Sequence, residues 1–253
     1  MAVVLTSGDD RVRVITLNRP EVRNALNSEA MRLFHDAVDE AVADPEVGAI
    51  VVTGTGKAFS SGHDLKEARS GPRPDNLWTR YLEAIETDRI YERLLRVPKP
   101  VIAAVNGFAV GGGCALAMSC DVVIAADNAT FGYPETNHGI AAVTVAVSLS
   151  QVVGRLQAMD LLLSGRFIDA AEAKAIGMVT RVVPAEDLMT EALAYGQLIA
   201  KKSPTAIHLT KRIFRSTLDL DHAHAFEYAR DVSLMTREAH YGDRMAADAR
   251  REP

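Results

Sequence analysis

Asn106-Gly107-Phe108-Ala109-Val110-Gly111-Gly112-Gly113-Cys114 is the stretch whose reading decides the fold. It has a counterpart upstream, Ala58-Phe59-Ser60-Ser61-Gly62-His63-Asp64-Leu65. Each follows a short apolar run that reads as a buried strand, Ala49–Thr53 before the first and Val101–Val105 before the second. Each leads into a helical pattern. Strands alternating with helices place the chain in the α/β class. Backbone N–H groups at such turns lack partners, and two of them aimed at one point stabilise negative charge developing on a carbonyl oxygen. The pair of turns therefore points to chemistry on an acyl group.

The pattern extends in both directions from these turns. Val12, Val14 and Thr16 alternate with Arg13, Ile15 and Leu17 as a strand does, and Asn18-Arg19-Pro20 ends it. Ser28 is read as the N-cap of a helix through Ala43, with Met31, Phe34, Ala37, Val38 and Ala41 on one face. Gly71-Pro72-Arg73-Pro74 is the clearest loop signal, before a helix over Trp78–Leu95 with apolar positions Tyr81, Ile85, Ile90 and Leu94. Val122–Ala125 reads as a third buried strand. After Val143 helices dominate, apart from a strand at Val179–Val183. Helices are expected over Ala170–Ile176, Ala185–Ala200, Pro204–Thr217 and His222–Thr236. The strand–turn–helix unit recurs loosely, as in a fold that winds such units around one axis.

At 253 residues the chain is long enough to bury a large core without disulfides or metal. A formal net charge of −5 argues against a nucleic-acid partner. Its two cysteines, Cys114 and Cys120, form no CxxC motif and have no companions at metal-ligand spacing, so they read as reduced thiols and no metal is expected. Met1–Asp10 carries no signal pattern and no apolar run approaches a membrane span, so a cytoplasmic protein with no membrane partner is expected.

These residues resemble the enoyl-CoA hydratase/isomerase, or crotonase, superfamily nearly end to end. Leu17-Asn18-Arg19-Pro20 with Asn24-Ala25-Leu26 is similar to the family's opening motif. Phe59–Leu65 and Asn106–Cys114 are similar to its two oxyanion segments, and Phe131-Gly132-Tyr133-Pro134-Glu135 to its acid/base segment. Ala170–Val183 with Pro184 is similar to its downstream helix and strand. The resemblance implies an α/β spiral of ββα units with a helical C-terminal trimerisation region, the division falling as 1–195 and 196–253. It implies a coenzyme A thioester as substrate with no separate cofactor, and self-association as a homotrimer or a dimer of trimers.

By the same resemblance the oxyanion donors are the peptide N–H groups of His63 and Gly112, and Glu135 is the acid/base. Gly112 also opens a helix whose positive end favours an enolate. Loss of one oxyanion donor costs roughly 3 kcal/mol of barrier. Gly111 and Gly113 are expected to permit close approach, with Pro134 beside Glu135. The backbone from Val22 through Arg23 and Ala25 to Leu26 is expected along the CoA moiety, together with Ser61, Asp64, Leu65 and Lys66. Glu21 stands where some members carry a phosphate-holding lysine. Asp64 reads as a helix cap rather than a base. The His63 side chain is read as idle, because the family uses only the amide there.

One position departs from the pattern. Hydratases of the family carry a second glutamate on the helix after the triple glycine, where this chain has Ala115. An alanine methyl holds no water and moves no proton. The lone carboxylate resembles the family's Δ3,Δ2-enoyl-CoA isomerases more than its hydratases. Hydration stays open through Tyr81, Tyr133, Asn137 or His138, as does a non-catalytic acyl-CoA binder.

Overall fold

The computed structural model describes residues 2–70 and 76–249. The loop expected at Gly71–Pro74 lies outside them. In chain order the strands are β1 (Val4–Asp9), β2 (Val12–Leu17), β3 (Ala49–Gly54), β4 (Ala58–Ser60), β5 (Val101–Val105), β6 (Phe108–Val110), β7 (Val122–Ala126), β8 (Thr130–Gly132), β9 (Phe167–Asp169) and β10 (Arg181–Val183). The helices are α1 (Ser28–Ala43), α2 (Leu65–Ser70), α3 (Leu77–Arg96), α4 (Gly112–Met118), α5 (Val143–Ser150), α6 (Arg155–Ser164), α7 (Ala170–Ala175), α8 (Leu188–Ala200), α9 (Pro204–Thr217) and α10 (His222–Ala249).

Two sheets are wound together. One runs β1-β2-β3-β5-β7-β10, parallel except for the β1–β2 hairpin. The other runs β4-β6-β8-β9, parallel except for β8–β9. Each turn of the spiral lays one strand in the first sheet and the next in the second: β3 then β4, β5 then β6, β7 then β8. The four short strands of the second sheet, and β1, were not evident in the sequence. Three residues are too few to show a period of two.

The alternation along the first sheet sorts its side chains. Ile15, Leu17, Ile50, Val52, Ala103 and Val105 face the core shared with α1, α3 and α4. Val12, Val14, Val51, Ile102 and Ile124 face Leu188 and Ala192 of α8. Both faces of β3 and β5 are covered, which is why those strands read as unbroken apolar runs. The backbone divides into two compact units, 1–204 and 205–253. The division expected after residue 195 falls within α8, which packs on the first sheet. The second unit carries α10 and most of α9, with Phe214, Phe226 and Met235 exposed.

Two details differ from the sequence reading. Asn27, not Ser28, caps α1, its side chain accepting from the Ala30 N–H at 2.9 Å. Of the apolar positions on α3, Ile90 and Leu94 are buried while Tyr81 and Ile85 are exposed, because only the C-terminal half of α3 meets the core.

Asn24 fixes the opening loop to the first glycine turn. It is buried in the left-handed region at φ 56°. Its carbonyl oxygen accepts from the Arg19 N–H at 2.8 Å, and its amide donates to the Thr55 and Ala58 carbonyls at 2.9 and 2.7 Å. Asparagine tolerates that backbone and meets three backbone groups at once. Asn24→Ala is expected to cost on the order of 3 kcal/mol in urea denaturation, since it strands one buried and two part-buried partners and strains the left-handed turn.

Candidate active site

The two glycine turns meet. Leu26 donates to the Gly62 carbonyl at 2.8 Å, and Asp64 donates to the Leu26 carbonyl at 3.0 Å. In this parallel bridge between Leu26 and His63 the intervening His63 N–H faces the other way. The second turn lies close to Gly62. A β-carbon built on Gly62 would stand 2.8 Å from the Val110 carbonyl oxygen and 2.9 Å from the Gly112 nitrogen. Gly112 is the first residue of α4, so its N–H has no acceptor inside that helix. Gly111, at φ 53° and ψ −120°, makes the bend that turns β6 into α4. Only glycine adopts that backbone readily.

Glu135 closes the other side. It sits in a short 3₁₀ helix, Pro134–His138, whose first position suits proline because the missing N–H has no partner to lose. Its Oε1 would stand 2.7 Å from a β-carbon on Gly111, and its Oε2 is buried without a hydrogen-bond partner. Burial pushes its carboxyl above the ordinary glutamate range, against the opposing pull of its own backbone N–H and of His138. A carboxylate held in this way is a stronger base than one in water.

Around Gly112 the side chains are crowded. A β-carbon there would lie 2.5 Å from the Tyr91 hydroxyl and 3.2 Å from His63 Nδ1. Burial lowers the His63 imidazole below its ordinary value and raises the Tyr91 phenol far above its own. Tyr91, on the buried face of α3, was not singled out in the sequence. Its signal was a tyrosine beside Ile90 and Leu94, where a buried hydroxyl needs a partner.

Ala115 is fully buried in the main core, and its carbonyl accepts the Ser119 hydroxyl at 2.8 Å. Cys114 is equally buried, donates to the Ala109 carbonyl at 2.8 Å, and has its thiol pushed up to about 12 by burial. That makes it unreactive. The groups considered as replacements for a second carboxylate are scattered. Tyr81 is exposed and stacked on Trp78, Tyr133 is buried, Asn137 donates to the Gly165 carbonyl at 3.1 Å, and His138 is exposed.

The segments expected along CoA lie side by side. Ser61 donates from its N–H to the Arg23 carbonyl at 2.9 Å and from its hydroxyl to the Val22 carbonyl at 3.2 Å. Ala25 and Leu26 are buried; Arg23, Leu65 and Lys66 are exposed, with the Arg23 guanidinium 5.5 Å from the Phe108 ring centre. Asp64 caps α2 through the Lys66 N–H at 3.1 Å and pairs with Arg19 at 3.0 Å. Burial raises its carboxyl, but Arg19 and the two helix N–H groups outweigh that and hold it low. Gly113 packs against the Ser60 carbonyl. A cleft of about 950 Å³ opens beside His63, walled by Leu26, Asp64, Met31, His35, Leu82 and Glu86; neither Gly112 nor Glu135 lines it.

A two-sheet spiral that brings two peptide turns and one desolvated carboxylate together defines a class of α/β protein suited to carbonyl chemistry. The chain belongs to the enoyl-CoA hydratase/isomerase family, whose model matches residues 7–244. It is 44% identical over 222 residues to a Mycobacterium tuberculosis protein named "Probable enoyl-CoA hydratase echA8", covering 85% of this chain and 83% of that one. It is 39% identical over 228 residues to the short-chain-enoyl-CoA hydratase of Clostridium acetobutylicum, covering 88% and 86%. The crystal structure of an enoyl-CoA hydratase from Mycobacterium smegmatis superposes with a TM-score of 0.86 at 33% identity, over 93% of this chain and 91% of that one.

The crowding at Gly112 is directly testable. Gly112→Ala is expected to cost about 1–3 kcal/mol through its collision with the Tyr91 hydroxyl. In a Tyr91→Phe background the same change costs less, because the atom it strikes is gone; equal costs in denaturant titrations of both backgrounds contradict the packing described.

Proposed function

We propose that this chain binds a coenzyme A thioester, with no separate cofactor, and moves its double bond between the 3 and 2 positions through an enolate. The peptide N–H groups of His63 and Gly112 hold the thioester oxygen. Glu135, as carboxylate, takes a proton from the α-carbon; the electron pair spreads onto the oxygen, where the two donors meet it. The double bond re-forms between the α- and β-carbons as Glu135 returns the proton to the γ-carbon. Charge moves only between one carboxylate and one oxygen, so no second acid is required.

The observation that carries this reading is one half-buried carboxylate with a buried, unpartnered Oε2: Glu135 faces Gly111 while Ala115 lies in the core. Hydration is the second reading, favoured by the names of the relatives. Water addition needs a water held and deprotonated while the α-carbon gains a proton, and one missing carboxylate costs about a hundredfold or more. Purified protein given a 3-enoyl-CoA is expected to generate conjugated-thioester absorbance quickly. Fast loss of that absorbance with crotonyl-CoA overturns isomerisation in favour of hydration. Exposed Leu156, Met159 and Leu163 on α6, and Phe214 and Phe226 in the second unit, support self-association as a trimer or paired trimers, read by sedimentation.

Glu135→Gln is expected to lower turnover by roughly 10²–10⁴-fold with CoA-ester affinity kept, whereas a pure binder is indifferent to it. Activity rises with pH as Glu135 ionises. Its raised carboxyl places that rise above the ordinary glutamate range. Because burial penalises the charged form, ionisation at neutral pH costs stability, so the glutamine variant is expected to melt no lower than the parent.

A further inference from the structure

The His63 imidazole, on the wall of the cleft, also packs against the second turn. Its Nδ1 and Cε1 stand 3.2 and 3.3 Å from the position a Gly112 β-carbon would take, directly over the second turn. Its other nitrogen, Nε2, is 3.3 Å from the Tyr91 hydroxyl. The two rings meet edge to face, with centroids 6.1 Å apart and planes at 85°. Tyr91 is 5% exposed and, with Ile90 and Leu94, is one of the buried residues of α3.

The proton positions are assigned from the hydrogen-bonding needs of the two rings. A buried phenol has one hydrogen and must place it on an acceptor. Among the described residues, the hydrogen bond made by the Tyr91 hydroxyl is the one to Nε2. Nε2 is then bare, and a neutral imidazole carries its proton on Nδ1. Burial keeps both rings neutral, holding the imidazole low against the pull of Asp88 and the phenol high. Asp88 is itself engaged, accepting the Thr144 hydroxyl of α5 at 3.0 Å.

We propose that the Nδ1–H of His63 is a third hydrogen-bond donor to the thioester oxygen, and that Tyr91 is the residue that positions it by occupying Nε2. This rests on the oxyanion reading above and deepens it: one residue supplies both a peptide and a side-chain donor. Neutrality matters, because Glu135 lies close enough for its charge to reach the Tyr91 phenol. An imidazolium in that place would stabilise the Glu135 carboxylate and weaken it as a base. A neutral N–H instead gains strength only as charge develops on the oxygen.

The test uses the full chain labelled with ¹⁵N-histidine, free of ligand. Its seven histidines are separated by the signals that vanish in His63→Ala. A protonated Nδ1 and a bare Nε2 are expected at His63, with the pattern moving toward the mixture of free imidazole in Tyr91→Phe. A protonated Nε2 in the parent, or a tautomer indifferent to Tyr91→Phe, overturns the proposal. Turnover of a 3-enoyl-CoA is expected to fall about 100-fold in His63→Ala and roughly tenfold in Tyr91→Phe, with KM within about twofold. The double variant should match His63→Ala alone; losses that multiply overturn the positioning role. Failure of the parent to bind any CoA ester removes the oxyanion reading, and the third donor with it, while the tautomer result still stands as measured.

Discussion

Backbone meets backbone where the two glycine turns touch, and the rest of the site depends on that approach. Gly62 comes so close to Val110 and Gly112 that no β-carbon fits between them. The sheets make the contact inevitable. β4 and β6 are neighbours in the second sheet, and each delivers its chain directly into a turn. The hydrogen bonds of Asn24 and the bridge from Leu26 to His63 then hold the first turn from behind. In the proposed function the donor pair is made of peptide groups, whose positions are those of the fold itself. It needs no side-chain entropy to be spent when charge appears on the bound oxygen.

The site has an electrical asymmetry that follows from burial. Four ionisable groups, His63, Tyr91, Cys114 and Glu135, are all displaced by burial toward their neutral forms. For three of them neutrality is the resting state at physiological pH. Of the four, Glu135 is the group raised by burial from an ordinary carboxylate value, and one of its carboxylate oxygens is unpartnered. A family member with a second carboxylate at position 115 would share that role between two groups. Here the α4 position is a methyl within the core, and the proposed mechanism accordingly gives the proton one carrier.

Much of the fold was legible because its first sheet is buried on both faces. Continuous apolar runs at Ala49–Thr53 and Val101–Val105 announced strands, and the glycines announced where they end. The second sheet was not legible, since strands of three residues such as β4 and β8 carry no period. The cap of α1 was misplaced by one residue because Asn27 and Ser28 are both good caps and only geometry chooses. For the site, motifs marked the turns and Glu135, but not the partner of His63. Tyr91 lies twenty-eight positions along the chain from His63, on a helix that reads as core, and only the fold brings its hydroxyl to the imidazole.

The central claim is that peptide donors at His63 and Gly112 polarise a thioester oxygen. Binding of butyryl-CoA labelled with ¹³C at its carbonyl, followed by isotope-edited vibrational spectroscopy, reads that directly. The account predicts a carbonyl stretch moved to lower frequency than in free solution, with a displacement still present in His63→Ala, which keeps both peptide donors. A bound thioester whose carbonyl vibrates as it does in water would contradict it.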